Sequence, residues 1–75
     1  MKLSELEPNQ KAVIVEIKGD LDIKRKMLSM GISKGTEIRM IRNAPFRDPI
    51  EFEVRSYCIS LRRDEAESVI VKVKE

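Results

Sequence analysis

The 75-residue chain has no histidine, no tryptophan and one cysteine, Cys58. Without an imidazole, Ser-His-Asp and Cys-His catalysis are excluded, and one cysteine without histidine excludes a zinc site built from several such ligands. A single thiol also cannot close an intrachain disulfide, although small secreted domains usually carry several. These absences favour a non-enzymatic protein of a reducing compartment, and we predict no cofactor.

Long apolar runs are also missing. The longest, from Ala12 to Val15, is far shorter than the roughly 20 residues of a membrane-spanning helix. The first eight residues contain two glutamates and no apolar stretch, which is unlike a signal peptide. The chain also lacks an excess of one charge, because 15 Lys and Arg nearly balance 13 Asp and Glu. We predict a cytoplasmic chain that neither inserts into a membrane nor binds nucleic acid.

Length and composition then indicate the class of fold. At 8.7 kDa, residues 1–75 are predicted to form a single domain. Fifteen Val and Ile outnumber five Leu and three Ala, which favours strands over helices.

Alternation of apolar and polar residues predicts five strands, at 11–17, 36–41, 50–54, 57–61 and 69–73. Between the first two, Ile23, Met27 and Met30 recur at helical spacing and predict a short amphipathic helix. Asp20 is suited to cap its start, and Gly31 is suited to end it in a Schellman turn. A proline-containing loop is predicted before the third strand, a tight turn at 55–56 and one helical turn within 62–68.

Short antiparallel strands leave unpaired edges, which closure into a small barrel removes. We therefore predict a mainly β fold, a small SH3-like barrel of about five antiparallel strands with one short amphipathic helix between the first two strands. The predicted interior residues are Val13, Val15, Ile17, Ile38, Met40, Ile50, Phe52, Val54, Ile59, Leu61, Val69 and Val71. Those predicted to close one end are Ile23, Met27, Leu28 and Ile32.

Several spaced motifs together resemble the FeoA family. They are Gly19-Asp20, the segment Lys24 to Thr36 with Gly31 and Gly35, Ala44-Pro45 followed by Asp48-Pro49-Ile50, and Tyr57-x-Ile59-Ser60-Leu61-Arg62. The resemblance covers nearly the whole chain. Arg47 and Ser56 depart from it, since glycine is common at both positions, and a positive φ there costs a residue with a side chain some stability.

Members of this family are small cytoplasmic proteins encoded with the FeoB ferrous iron permease, whose cytoplasmic part carries a GTPase domain. The same SH3-like module is the C-terminal domain of some iron- and manganese-responsive repressors of the DtxR type. The resemblance therefore implies an accessory protein of ferrous iron uptake that binds the cytoplasmic part of FeoB and associates peripherally with that membrane protein. We expect the free chain to be a monomer.

Two surfaces are candidates for partner binding: the basic side of the helix, and the proline loop with its apolar tip. The predicted partner-binding residues are Arg25, Lys26, Met30, Pro45, Phe46, Arg47 and Asp48. No catalytic, cofactor or metal residue is predicted, because no nucleotide-binding glycine motif is present and the acidic run of residues 64–67 is typical of a solvated turn. Weak binding of a transition metal ion stays open.

Two alternative functions also stay open. One is a nucleic-acid-binding SH3-like module, which is disfavoured by the near-neutral charge and by the small number of aromatic residues. The other is the C-terminal SH3-like module of a metal-dependent repressor, found alone. The sequence leaves open which surface docks and whether docking raises or lowers GTP turnover in the partner.

Overall fold

The structure, a computed structural model, describes residues 1–43 and 48–74. Its strands are β1 (Lys11–Ile17), β2 (Glu37–Asn43), β3 (Ile50–Val54), β4 (Tyr57–Leu61) and β5 (Val69–Val73). Its helices are α1 (Leu21–Ser29), the single turn α2 (Arg63–Ala66) and a 3-10 helix at Leu3–Glu5. No helix in these two ranges has the length and apolar character that a membrane crossing requires.

The five strands form one antiparallel sheet in the order β4-β3-β2-β1-β5. This arrangement confirms the predicted five antiparallel strands with a helix between the first two. Strands β4 and β5 are the two edges of the ladder.

The buried core lies on one side of this sheet. The alternation correctly predicted the buried strand residues Ile38, Met40, Ile50, Phe52, Val54, Leu61, Val69 and Val71. Ile17 and Ile59 are half-buried and pack against them. Buried residues that the alternation did not assign to the interior are Leu3, Leu6, Ala12, Ile14 and Ala66.

The interior assignment in β1 is wrong at two positions. Ala12 and Ile14 are buried, whereas Val13 is half-buried and Val15 is 41% exposed. Both alternating sets in β1 are apolar, so period two does not by itself tell which set faces inward. Burial against the neighbouring strands decides it.

A β-bulge in β1 separates its two ends. The ladder to β5 contains Ile14 and Glu16 but skips Val15. The extra residue resets the alternation, which returns Ile17 to the core side of the sheet. The predicted inward position of Ile17 is therefore correct, although the continuous alternation from which it was derived is interrupted.

Both predicted ends of α1 are confirmed. The Asp20 carboxylate accepts a hydrogen bond from the Ile23 amide at 2.9 Å. At the other end Gly31 has a φ of 84°, and the Ile32 amide donates to the Met27 carbonyl at 2.9 Å. With the bond from the Gly31 amide to the Leu28 carbonyl, this is the predicted Schellman turn.

The side of α1 that faces the sheet is narrower than predicted. Met27 and Ile32 are buried, and Ile23 is half-buried. Leu28 is 61% exposed, so its assignment to the interior is wrong. Adjacent helical positions differ by about 100° around the axis, and burial of Met27 turns its neighbour outward.

The segment before β1 covers one edge of the sheet. Val71 in β5 donates its amide to the Met1 carbonyl at 2.8 Å, and Lys2 forms an isolated bridge with Ile70. Leu3 and Leu6 are buried in the core. This segment was not predicted to contribute to the core, yet it protects the β5 edge.

Candidate partner-binding surface

The outer side of α1 carries two of the predicted partner-binding residues, Arg25 and Lys26, and both are exposed. Arg25 makes no ion pair with any residue that the structure describes. Lys26 differs, because its ammonium group pairs with the Glu65 carboxylate on α2. The charge of Arg25 therefore remains available to a partner, whereas Lys26 joins the two helices.

The neighbours of Glu65 favour the ionised form of its side chain. The hydrogen bond from Lys26 is the largest cause that lowers the pKa of this carboxyl below its ordinary value. A bond from the Arg62 amide, 2.9 Å to Oε1, lowers it further, and partial burial opposes both effects. The Lys26–Glu65 pair is thus a charged link at neutral pH.

Met30, another predicted partner-binding residue, connects α1 to β4 through its backbone carbonyl. The residue is half-buried against the core and follows the last helical residue of α1. Its carbonyl accepts a hydrogen bond of 2.9 Å from the Tyr57 hydroxyl. The end of α1 therefore adjoins the start of β4.

The predicted loop surface is described only at one end. Asp48 is exposed, and its Oδ1 accepts the Arg63 amide at 3.1 Å, which connects the approach to β3 with the first residue of α2. Pro45, Phe46 and Arg47 lie outside the described residues.

An apolar groove lies between α1 and β1, with a volume of about 240 Å³. It is lined by Val15, Glu16, Ile17, Lys24, Leu28, Ser33 and Lys34. This volume is below the range of about 300–1,000 Å³ typical of small-molecule sites, and it suits a few side chains of a partner better. Neither Lys24 nor Lys34 forms an ion pair within the described ranges.

The groove was not predicted, because Val15 and Leu28 were both assigned to the interior. Val15 faces outward because Ala12 and Ile14 face the core, and Leu28 faces outward because its neighbour Met27 is buried. The two exposed side chains line one groove, and Arg25 lies three residues before Leu28 on α1. No local signal in the sequence reports which side of β1 is buried.

The side chains that could ligate a metal do not converge. In residues 1–43 and 48–74, no three His, Cys, Asp or Glu side chains are grouped to hold an ion. The single thiol of Cys58 is free and exposed on β4.

Comparison with known proteins assigns the chain to a family. The family model of the FeoA domain matches residues 1–73. The chain belongs to the FeoA family. The family predicted from the spaced motifs is therefore confirmed.

Two curated FeoA relatives each match 73 residues, which is 97% of this chain. The Fe(2+) transport protein A/Fe(2+) transporter FeoB fusion protein of Porphyromonas gingivalis is 37% identical, and the match spans only 9% of its length. The putative Fe(2+) transport protein A of Campylobacter jejuni is 33% identical, with 99% of its length covered.

Solved structures support the same family and fold. The zinc complex of Stenotrophomonas maltophilia FeoA, described as a prokaryotic SH3 domain protein, is 34% identical with a TM-score of 0.83, over 96% of this chain and 89% of that one. This likeness confirms the predicted SH3-like fold. A manganese-dependent transcriptional repressor, at 18% identity and a TM-score of 0.92 over 99% of this chain and 36% of its own, shares the fold alone.

Proposed function

We propose that this FeoA-family chain is a cytoplasmic accessory protein of ferrous iron uptake that binds the cytoplasmic part of a FeoB-type permease and catalyses no reaction itself. The observation that carries the proposal is the fusion relative, in which a matching segment and a FeoB transporter share one polypeptide. Fusion holds two modules at high effective concentration, which is useful when the modules act together. We expect the same association for this chain.

The surface of α1 is the best-supported docking site for this partner. The α1–β1 groove offers exposed apolar side chains, and Arg25, three residues before Leu28 on α1, has a charge that no described residue pairs with. Arginine is enriched at protein interfaces, and the buried centre of an interface is more apolar than its rim.

Binding is tested with the full chain and the purified cytoplasmic portion of the permease. Calorimetric titration without nucleotide, with GDP and with a non-hydrolysable GTP analogue is expected to show saturable binding in at least one state. The rate of GTP hydrolysis, measured in parallel, gives the sign of any regulation. Absence of binding in all three nucleotide states would contradict the proposal.

The docking surface is tested with matched variants on α1. Leu28→Ser removes an apolar side chain that lines the groove, whereas Leu21→Ser makes the same change at a residue of the same helix that is 59% exposed and does not line the groove. We expect Leu28→Ser to weaken permease binding about tenfold and Leu21→Ser, on the same side of α1 but outside the groove, to weaken it less.

Two further variants separate the predicted surfaces. Arg25→Glu reverses the charge beside the groove and is expected to weaken binding. Phe46→Ser tests the loop surface in the same titration. If only Phe46→Ser weakens binding, the loop and not α1 is the docking surface.

Nucleic acid binding is the second candidate, and the described residues give it little support. Phe52 is buried, so Tyr57 is the one aromatic side chain exposed among the described residues, and its hydroxyl is held by the Met30 carbonyl. A single exposed ring is a small platform for successive bases. Tight RNA binding in a filter assay at low salt, weakened by added salt, would favour this alternative instead.

A further inference from the structure

Strand β4 has one unpaired edge. It pairs with β3 on one side, and its closing turn of two residues makes Val54 and Tyr57 a hydrogen-bonded pair. By the alternation of an antiparallel ladder, the N–H and C=O groups of Cys58 and Ser60 point away from β3. No residue in the described ranges bonds to these groups.

This edge lacks the features that usually protect an edge strand. Its five residues include no charged residue and no proline, and its pairing with β3 is regular without a bulge. The opposite edge of the sheet is different, because β5 is covered by the bonds to Met1 and Lys2. Natural sheets seldom leave an unprotected edge without a partner.

The charges that flank β4 indicate the chemistry of that partner. Arg55 precedes the strand and Arg62 follows it; both are exposed, and neither makes an ion pair in the part of the chain that the structure describes. The acids of the neighbouring strand are already used, since Glu51 pairs with Arg42 and Glu53 pairs with Arg39. The edge is therefore a neutral strand between two exposed positive charges. The charge of Arg62 also acts on Glu65, whose pKa it helps to lower, whereas no described residue pairs with Arg55.

A second copy of the chain is a poor match for this edge. If β4 paired with β4 of another copy, Arg55 and Arg62 of both copies would lie near the paired edges. The strand contains no acidic residue that could neutralise these charges. Like charges held together across a ladder are destabilising. An extended segment with acidic residues near its ends is complementary.

We propose that β4 accepts an extended segment of the permease's cytoplasmic part as an added strand, with acidic residues of that segment near Arg55 and Arg62. The inference rests on the proposed function and names how the partner is held. Main-chain bonds to Cys58 and Ser60 provide the attachment, as in other cases of strand addition. The site adjoins α1, because Tyr57 at the start of β4 bonds to Met30.

Amide hydrogen exchange, followed by NMR on the full chain, measures this attachment directly. In the free protein the amides of Cys58 and Ser60 are expected to exchange rapidly, while Tyr57 and Ile59, which donate to β3, exchange slowly. Saturation with the permease's cytoplasmic portion is expected to slow exchange at Cys58 and Ser60 at least tenfold. A complex that forms without this slowing would overturn the inference and leave the proposed function intact.

Matched variants at one position test the same edge. Ser60→Pro removes an outward N–H group but no bond to β3, which is the position that edge strands tolerate for proline. We expect it to weaken permease binding about tenfold, while Ser60→Thr binds like the wild type. If thermal unfolding shows that Ser60→Pro is not folded, Ser60→Lys replaces it, since a lysine on an edge blocks strand addition.

A synthetic peptide tests whether β4 accepts an added strand independently of whether the permease is the partner. The probe is a blocked seven-residue peptide that alternates valine and threonine between two terminal glutamates, and its control carries lysines at the ends. We expect slowed exchange at Cys58 and Ser60 with the glutamate peptide only. If the peptide binds but the permease portion does not, β4 does accept an added strand, and the permease is not the source of that strand. If neither binds, or if exchange slows with protein concentration alone because two copies pair, the inference is overturned.

Discussion

Gly31 lies between the end of α1 and the hydroxyl group of Tyr57. Its φ of 84° is in the left-handed region that favours glycine, and a β-carbon added there would overlap the Tyr57 hydroxyl oxygen. The same hydroxyl donates to the Met30 carbonyl, so it cannot move away without losing that bond. One glycine thus allows both the helix to end and β4 to approach it.

Gly31→Ala is expected to lower the free energy of unfolding by about 2–4 kcal/mol, because it adds a steric overlap to the cost of a left-handed alanine. Gly35→Ala is the matched control. Gly35 has a φ of 89° but no atom within 4 Å of the added carbon, so its loss is expected to be about 1–2 kcal/mol. Urea unfolding of both variants measures the difference. Equal losses would mean that Tyr57 moves aside without cost.

At the scale of elements, the hairpin of β3 and β4 closes on two residues that carry side chains. Arg55 has a φ of 51° and Ser56 a φ of 72°, the signs of a type I′ turn, which glycine and asparagine usually form. The turn lies at the predicted residues, and Ser56 stands where glycine is common in the family. The structure shows that the turn keeps its two-residue length, so β4 retains its register with β3.

Ser56→Gly is expected to raise the free energy of unfolding by about 0.5–1 kcal/mol. Glycine relieves the left-handed strain, and the greater entropy of its unfolded chain offsets part of the gain. Thermal or urea unfolding measures the change. As a control, Ser60→Gly places glycine inside β4 and is expected to be destabilising. A destabilised Ser56→Gly would show that the serine side chain stabilises the turn.

The link between α1 and α2 predicts a pH dependence. Folding lowers the pKa of Glu65, so the pair stabilises the fold fully above the ordinary glutamate pKa of about 4.3, and this contribution is lost as the pH falls through the lower folded-state value. Glu65→Gln keeps an acceptor for the Arg62 amide but removes the charge. Because Lys26 is half-exposed, we expect a loss of only about 0.5–1 kcal/mol at pH 7.

Unfolding of the wild type and Glu65→Gln is compared by urea titration from pH 7 down to pH 3. Their difference in stability is expected to shrink as the pH falls, and also to shrink at 1 M salt, where the Debye length is about 3 Å. A difference that stays constant over this pH range would show that the charge of Glu65 contributes nothing and that the side chain matters only through packing.

At the scale of the whole molecule, the segment before β1 completes the core. Leu3 is fully buried and Leu6 nearly so, while their neighbours bond to β5. A small domain has little stability to spare, about 0.05–0.15 kcal/mol per residue. Two buried leucines are therefore a large share of what keeps the sheet folded.

Leu3→Ala is expected to lower the free energy of unfolding by about 2–5 kcal/mol, since it removes buried methyl groups and leaves a cavity. Leu21→Ala, at a residue that is largely exposed, is expected to change it by less than about 0.5 kcal/mol. Circular dichroism during urea unfolding measures both. Similar small effects for the two variants would show that the segment does not stabilise the fold.

The sheet was predictable wherever local pattern and burial agree. β3 alternates strictly between apolar and charged residues, so only one of its faces can be buried, and Ile50, Phe52 and Val54 are the buried set. The ends of α1 were predictable because a cap depends on residues within one turn, as Asp20 and Gly31 show. The candidate surface was predictable only in part, since Arg25 is recognisable as part of a basic helix face but the groove is not.

The amino-acid sequence by itself determined where the strands lie along the chain, both ends of α1, the two-residue turn and the family, because each depends on short spacings along the chain. The tertiary structure alone decided which side of β1 is buried, that Leu28 faces outward beside Val15, that Leu3 completes the core and that no described residue pairs with the outer edge of β4. Those outcomes depend on which distant segments pair and pack, and a periodic pattern that is apolar on both faces does not specify them.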